Sequence, residues 1–157
     1  MMYITDNSRI LSREELSTPE EITNEIPLDK ESSKLIFGAR RSISQILHRQ
    51  DDRVIVVVGP CSIHDPKAAL EYAKLLKDFS SSVENELMVV MRVYFEKPRT
   101  TIGWKGLIND PRLDNSFKIN EGLRISRKLL KDIADLGMPT GTAVSYTHLT
   151  LPTMELV

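Results

Sequence analysis

Five consecutive β-branched residues, Val54-Ile55-Val56-Val57-Val58, constrain this chain more than any other feature in it. A run that is apolar at every position has no polar face to give to water. It suits a strand covered on both faces, as in a parallel sheet flanked by helices. Gly59-Pro60 ends the run, and Asp65 with Pro66 then supplies a cap and a first-turn residue for a helix. Ala69, Tyr72, Ala73, Leu76 and Phe79 recur at helical spacing and form one apolar stripe that stops at Ser80-Ser81-Ser82. Strand, short loop and helix follow one another here.

The pattern extends in both directions. Upstream, Ile36, Ala39, Ile43, Ile46 and Leu47 predict an amphipathic helix over 33–49, with Ser32 or Asp29 available as its cap and Asp51 and Asp52 beyond its end. Downstream, residues 87–93 read as a second apolar strand. Asn120 is expected to cap a third helix carrying Leu123, Ser126, Leu130 and Ile133 on one face, closed by Gly137 and Pro139. Residues 138–144 start a third strand. Helix alternating with strand is the order of an α/β protein with a parallel sheet, whose ligands bind at the carboxyl ends of the strands. Residues 1–34 stand apart: acidic residues outnumber basic ones by eight to four, apolar periodicity is poor, and Pro19 and Pro27 interrupt any long helix. They are expected to form an N-terminal extension outside the core.

Charge and composition narrow the function. A net charge of −1 gives no overall pull toward nucleic acid or an anionic membrane, so anion binding must come from a local cluster. Neither end fits a targeting segment, and the longest apolar run is far shorter than the ~20 residues of a membrane span. One cysteine excludes an intrachain disulfide and is compatible with a reducing compartment, which makes the cytoplasm the expected location.

Two strand ends carry chemistry. After the first come Gly59-Pro60-Cys61-Ser62-Ile63-His64-Asp65, a thiol, a hydroxyl and an imidazole ahead of a helix N-terminus, where anions bind and thiol pKa values fall. These residues alone allow Cys61 to be a small buried side chain, Ser62 or Asp65 a cap and His64 a surface group. They also allow Cys61 and His64 to reach one metal ion, although two ligands do not make a site. The second strand runs into Arg92, Tyr94, Phe95, Glu96, Lys97, Pro98, Arg99, Thr100 and Thr101. From Arg92 to Arg112 there are five basic and two acidic residues in an otherwise balanced chain. Forked guanidinium groups, a point-charge ammonium and a hydroxyl suit a small phosphorylated anion. A solvated strand end with scattered ion pairs is the plainer alternative. Interleaved aromatics also occur where single-stranded nucleic acid stacks, but no wider basic surface accompanies them, and no nucleic-acid partner is expected. The connection from this strand to the next helix far exceeds the few residues of an ordinary βα loop.

Three ungapped strings, Gly59-Pro60-Cys61-Ser62-Ile63-His64-Asp65, Met91-Arg92-Val93-Tyr94-Phe95-Glu96-Lys97-Pro98-Arg99-Thr100-Thr101 and Gly103-Trp104-Lys105-Gly106-Leu107-Ile108-Asn109-Asp110-Pro111, resemble the class I, aromatic-regulated 3-deoxy-7-phosphoheptulonate (DAHP) synthases. The resemblance covers residues 8–142. It implies an N-terminal extension followed by the first three or so βα units of a (β/α)8 TIM barrel, incomplete in this chain. The implied reaction is an aldol-like condensation of phosphoenolpyruvate with erythrose 4-phosphate, releasing phosphate, at the entry to the shikimate route. By the same resemblance Cys61 matches a ligand of a divalent metal, manganese or iron, which would polarise the aldehyde. Arg92 and Lys97 match residues that hold phosphoenolpyruvate, Lys97 as the catalytic residue, and Arg99 and Thr100 match those around the phosphate of erythrose 4-phosphate. Ser62 and His64 match no ligand and are read as structural. An aromatic amino acid effector and a homo-oligomer are implied for the full-length enzyme.

The resemblance assigns residues 1–34 to the extension and 35–142 to a partial barrel. Residues 143–157 do not resemble the family and are expected to be a non-family tail from an artefactual join. His148 in that tail receives no role. The competing reading is a catalytically inactive fragment that associates with full-length subunits through unpaired strand edges.

Overall fold

The computed structural model describes residues 13–96 and 103–142. Its elements run α1 (Pro19–Glu25), α2 (Lys30–Leu47), β1 (Val54–Val58), α3 (Pro66–Ser82), β2 (Leu87–Arg92), α4 (Ile119–Asp135) and β3 (Thr140–Gly141). Among the described residues the strands form one sheet in the order β1-β2-β3. Both pairings are parallel, with Val54 opposite Leu87 through Val58 opposite Met91, and Met91 opposite Thr140. The mixed α/β class with a parallel sheet is therefore as expected. Val89, Met91, Val93 and Phe95 form the centre of the core against Ala69, Ala73 and Leu76 of α3 and Leu123, Leu129, Leu130 and Ile133 of α4.

The caps decide where the helices start. Of the two candidates for α2, Asp29 takes the position: its carboxylate accepts from the Ser32 amide at 2.7 Å, so the helix begins at Lys30 rather than at residue 33. Asp65 caps α3 as expected, accepting from the amides of Lys67 (2.8 Å) and Ala68 (3.4 Å). The expected cap of α4 is displaced. That helix starts after Lys118, which makes no side-chain cap bond, and Asn120 lies inside it. The Asn120 amide is engaged elsewhere, accepting from the Ser17 amide at 2.7 Å and donating to the Glu15 carbonyl at 2.9 Å. The end of α4 is as read: Gly137 takes φ +79° and its amide donates to the Ala134 carbonyl.

Three expectations about burial are corrected. β1 is not covered on both faces: Val54 is 59 % exposed and Val57 58 %. Among the described residues it is one of the two edge strands of the sheet, and the hydrophobicity of a strand reports what it is suited to, not what lies beside it. Phe79, expected on the buried stripe of α3, is exposed: the helix meets the core through Ala69, Ala73 and Leu76. The segment read as lying outside the core contributes Ile22, which is 2 % exposed and joins the main hydrophobic cluster. It is carried by α1, whose Thr18 hydroxyl accepts from the Glu21 amide while the Glu21 carboxylate accepts from the Thr18 amide, a reciprocal capping box.

Candidate substrate-binding site

Parallel register puts the ends of β1 and β2 side by side, with Val58 opposite Met91. Cys61 lies just past one end and Arg92 is the last residue of the other. Gly59 permits their approach: a Cβ there would stand 2.5 Å from the Arg92 carbonyl oxygen, backbone that cannot swing aside. The two segments stay joined beyond the sheet, since the Ile63 amide donates to the Tyr94 carbonyl at 2.7 Å. Across this seam Arg92 Nη2 donates to the Cys61 carbonyl oxygen at 3.2 Å. The Arg92 guanidinium carbon lies 4.0 Å from the centre of the Tyr94 ring. Its Nε is buried and has no hydrogen-bond partner among the described residues. A buried cationic donor without an acceptor is costly to leave in place.

The long connection after β2 folds back on this seam. Glu96 and Gly106 form an antiparallel bridge, which a side chain at Gly106 would prevent, since its Cβ would stand 2.2 Å from the Phe95 carbonyl and its φ is +119°. Asn109 Nδ2 donates to Glu96 Oε1 at 3.2 Å, and Glu96 Oε2 is buried without a partner among the described residues. Trp104 Nε1 donates to the Asp110 carbonyl at 2.8 Å, while the ring stands edge-on to His64 with centroids 6.4 Å apart. His64 thus meets an aromatic ring edge-on while remaining exposed.

The structure brings together two of the residues singled out in the sequence, Cys61 and Arg92. Cys61 is exposed, not a buried filler. Lys97, Arg99 and Thr100 lie outside the described residues. Among the described residues no group of three or more His, Cys, Asp or Glu side chains could hold a metal ion. Cys61 therefore belongs to no such group, and these residues by themselves do not fit a metal. Tyr94 and Glu96 carry no assigned role in the sequence beyond belonging to the segment after β2, yet the structure places Tyr94 against Arg92 and Glu96 against Asn109. The spacing signals the first of these, because residues two apart on an extended segment share a face and Tyr94 follows Arg92 at that spacing. A cleft of about 570 Å³ lies at the opposite end of the sheet, lined by Lys34, Arg53, Lys77, Leu87, Asp135 and Pro139, away from where Cys61 and Arg92 meet.

The chain matches the DAHP synthetase I family over residues 22–153. It is 56% identical over 136 residues to a phospho-2-dehydro-3-deoxyheptonate aldolase of Amycolatopsis methanolica, covering 87% of this chain and 67% of that protein. It is 54% identical over 139 residues to the Phe-sensitive phospho-2-dehydro-3-deoxyheptonate aldolase of Escherichia coli K12, covering 88% of this chain and 40% of that protein. The solved structure of the phospho-2-dehydro-3-deoxyheptonate aldolase from Francisella tularensis superposes with a TM-score of 0.82 at 53% identity, covering 85% of this chain and 39% of that one. The chain thus spans about 40% of the length of the Escherichia coli and Francisella proteins. With the match running through both strand ends and the loop that folds over them, the chain belongs to the DAHP synthetase I family.

Proposed function

We propose that this chain carries part of the active site of a 3-deoxy-7-phosphoheptulonate synthase, which joins phosphoenolpyruvate to erythrose 4-phosphate and releases phosphate. The observation that carries the reading is Arg92 at the end of β2, with a buried Nε that lacks an acceptor among the described residues while Nη2 is anchored on the Cys61 carbonyl. A planar fork fixed by one arm is suited to carboxylate or phosphate. Arg92 and Lys97 hold phosphoenolpyruvate in this proposal, Lys97 acting as the catalytic residue, and Arg99 and Thr100 hold the phosphate of erythrose 4-phosphate. Fixing two anions in reacting geometry and neutralising their charge is the protein's main contribution to such a condensation. Cys61 is proposed as the one thiolate this chain gives to the enzyme's divalent metal, manganese or iron, with the other donors outside the described residues.

Several wider features belong to the same proposal. The strands are the first three of a (β/α)8 barrel, and residues 1–34 are an extension to it. An aromatic amino acid regulates the complete enzyme, a reading supported by the names of its Phe-sensitive and tyrosine-inhibited relatives. The enzyme works in the cytoplasm as a homo-oligomer. Among the described residues no helix is long and apolar enough to cross a membrane.

Calorimetric titration of phosphoenolpyruvate into a protein that joins this chain to the remaining length of its relatives tests the reading. Arg92→Ala is expected to weaken binding at least about tenfold, the loss of one charge-assisted pair. Unchanged affinity would remove Arg92 from the site. The exposed outer edge of β1 favours a second reading, in which the chain on its own is inactive and pairs with complete subunits. Co-purification with an intact homologue supports that reading, and a monomer that never associates rules it out.

A further inference from the structure

We propose that Tyr94 is a positioning residue for phosphoenolpyruvate, acting through Arg92: its ring supports the guanidinium face and leaves the in-plane N–H donors to the substrate. The inference deepens the proposed function and rests on it. A guanidinium carries all five of its donors in one plane. Contact with an aromatic face therefore uses none of them, whereas a carboxylate or carbonyl in the same place would consume one or two.

The remaining contacts agree with this division. Arg92 Nη2 is already committed to the Cys61 carbonyl at 3.2 Å, and Nε is buried without an acceptor. The Tyr94 ring stands 4.0 Å from the guanidinium carbon, close enough for direct electrostatic attraction between cation and ring. The ring is itself held in register. The Tyr94 carbonyl accepts from the Ile63 amide at 2.7 Å, and its neighbours Val93 and Phe95 are 0% and 1% exposed, so the backbone between them cannot turn without opening the core. Arg92 is thus held by a ring face and a single hydrogen bond, and neither contact occupies Nε.

The test compares Tyr94→Phe, Tyr94→Trp and Tyr94→Leu in the complete enzyme carrying this chain. The ring face carries the effect, so Phe and Trp are expected to leave KM for phosphoenolpyruvate near its wild-type value. Leu is expected to raise it about tenfold, with kcat changed by less than about twofold and KM for erythrose 4-phosphate unchanged. In the chain itself, the Arg92 δ-methylene protons are expected upfield of ordinary arginine values through the ring current of Tyr94. That shift should persist in the Phe variant. If the Leu variant fails to fold, the wild-type shift decides: an unshifted Arg92 overturns the inference. It is also overturned if Leu leaves KM for phosphoenolpyruvate unchanged while Arg92→Ala raises it. If Arg92→Ala leaves that KM unchanged as well, the proposed function itself fails, and the two failures are distinguishable.

Discussion

Ser32 Oγ donates to Asp135 Oδ1 at 2.6 Å, tying the first turn of α2 to the last residue of α4. The other oxygen of Asp135 accepts from Lys131 at 2.5 Å. The Lys131 ammonium first, and the Ser32 hydroxyl second, hold the Asp135 carboxyl below its usual range, while partial burial opposes them. A carboxylate whose pKa is depressed in the folded state adds stability above its unfolded pKa, about 3.9, and loses it as pH falls through the lower folded value. Asp135→Asn is therefore expected to destabilise the protein at pH 7 and to have progressively less effect toward pH 3. Urea midpoints measured for both proteins across that range check this, and a difference that does not shrink with acidity contradicts it. Asp135 is about a third exposed, so the effect is small.

Gly122, in the first turn of α4, lies against the backbone of Ile108. A Cβ there would stand 2.2 Å from the Ile108 carbonyl oxygen and 2.7 Å from its Cα. Neither atom belongs to a flexible side chain, so helix and loop must separate. Gly122→Ala is expected to cost about 1–3 kcal/mol, the usual range for overpacking, despite alanine's better helix propensity. Chemical denaturation measures it, and a stabilised variant would show that the contact yields.

Asp65 is a cap with a near-isosteric control. Asp65→Ala removes the acceptor for the Lys67 and Ala68 amides and is expected to cost about 1 kcal/mol, whereas Asp65→Asn is expected to retain most of the stability. Thermal melting of the two variants separates capping from simple loss of side-chain bulk. Equal losses would show that the hydrogen bonds to the amides are not what matters.

Much of this arrangement is legible in the residues themselves. The β-branched run of β1, the Asp65-Pro66 start of α3 and the Gly137 stop of α4 are local signals, and the backbone follows them. Cys61 and Arg92 are legible as a pair because long motifs place each at a strand end, and parallel pairing then brings the ends together. What is not legible is non-local. Asn120 has the right chemistry for a cap, but a segment 103 residues earlier in the chain occupies its side chain. Ile22 stands among acidic residues with no apolar rhythm around it, and only the Thr18-Glu21 capping box marked a helix able to carry it inward. The exposure of Val54 and Val57 depends on what lies beyond the outer edge of β1, which no residue of β1 encodes.

The most direct test of the central claim is phosphate release from phosphoenolpyruvate, followed in a protein that joins this chain to the remaining length of its relatives. Release is expected only when erythrose 4-phosphate and a divalent metal are both present, and Cys61→Ala and Arg92→Ala are each expected to lower kcat/KM by at least about a hundredfold. Phosphate release that needs no erythrose 4-phosphate, or that survives both substitutions undiminished, would contradict it.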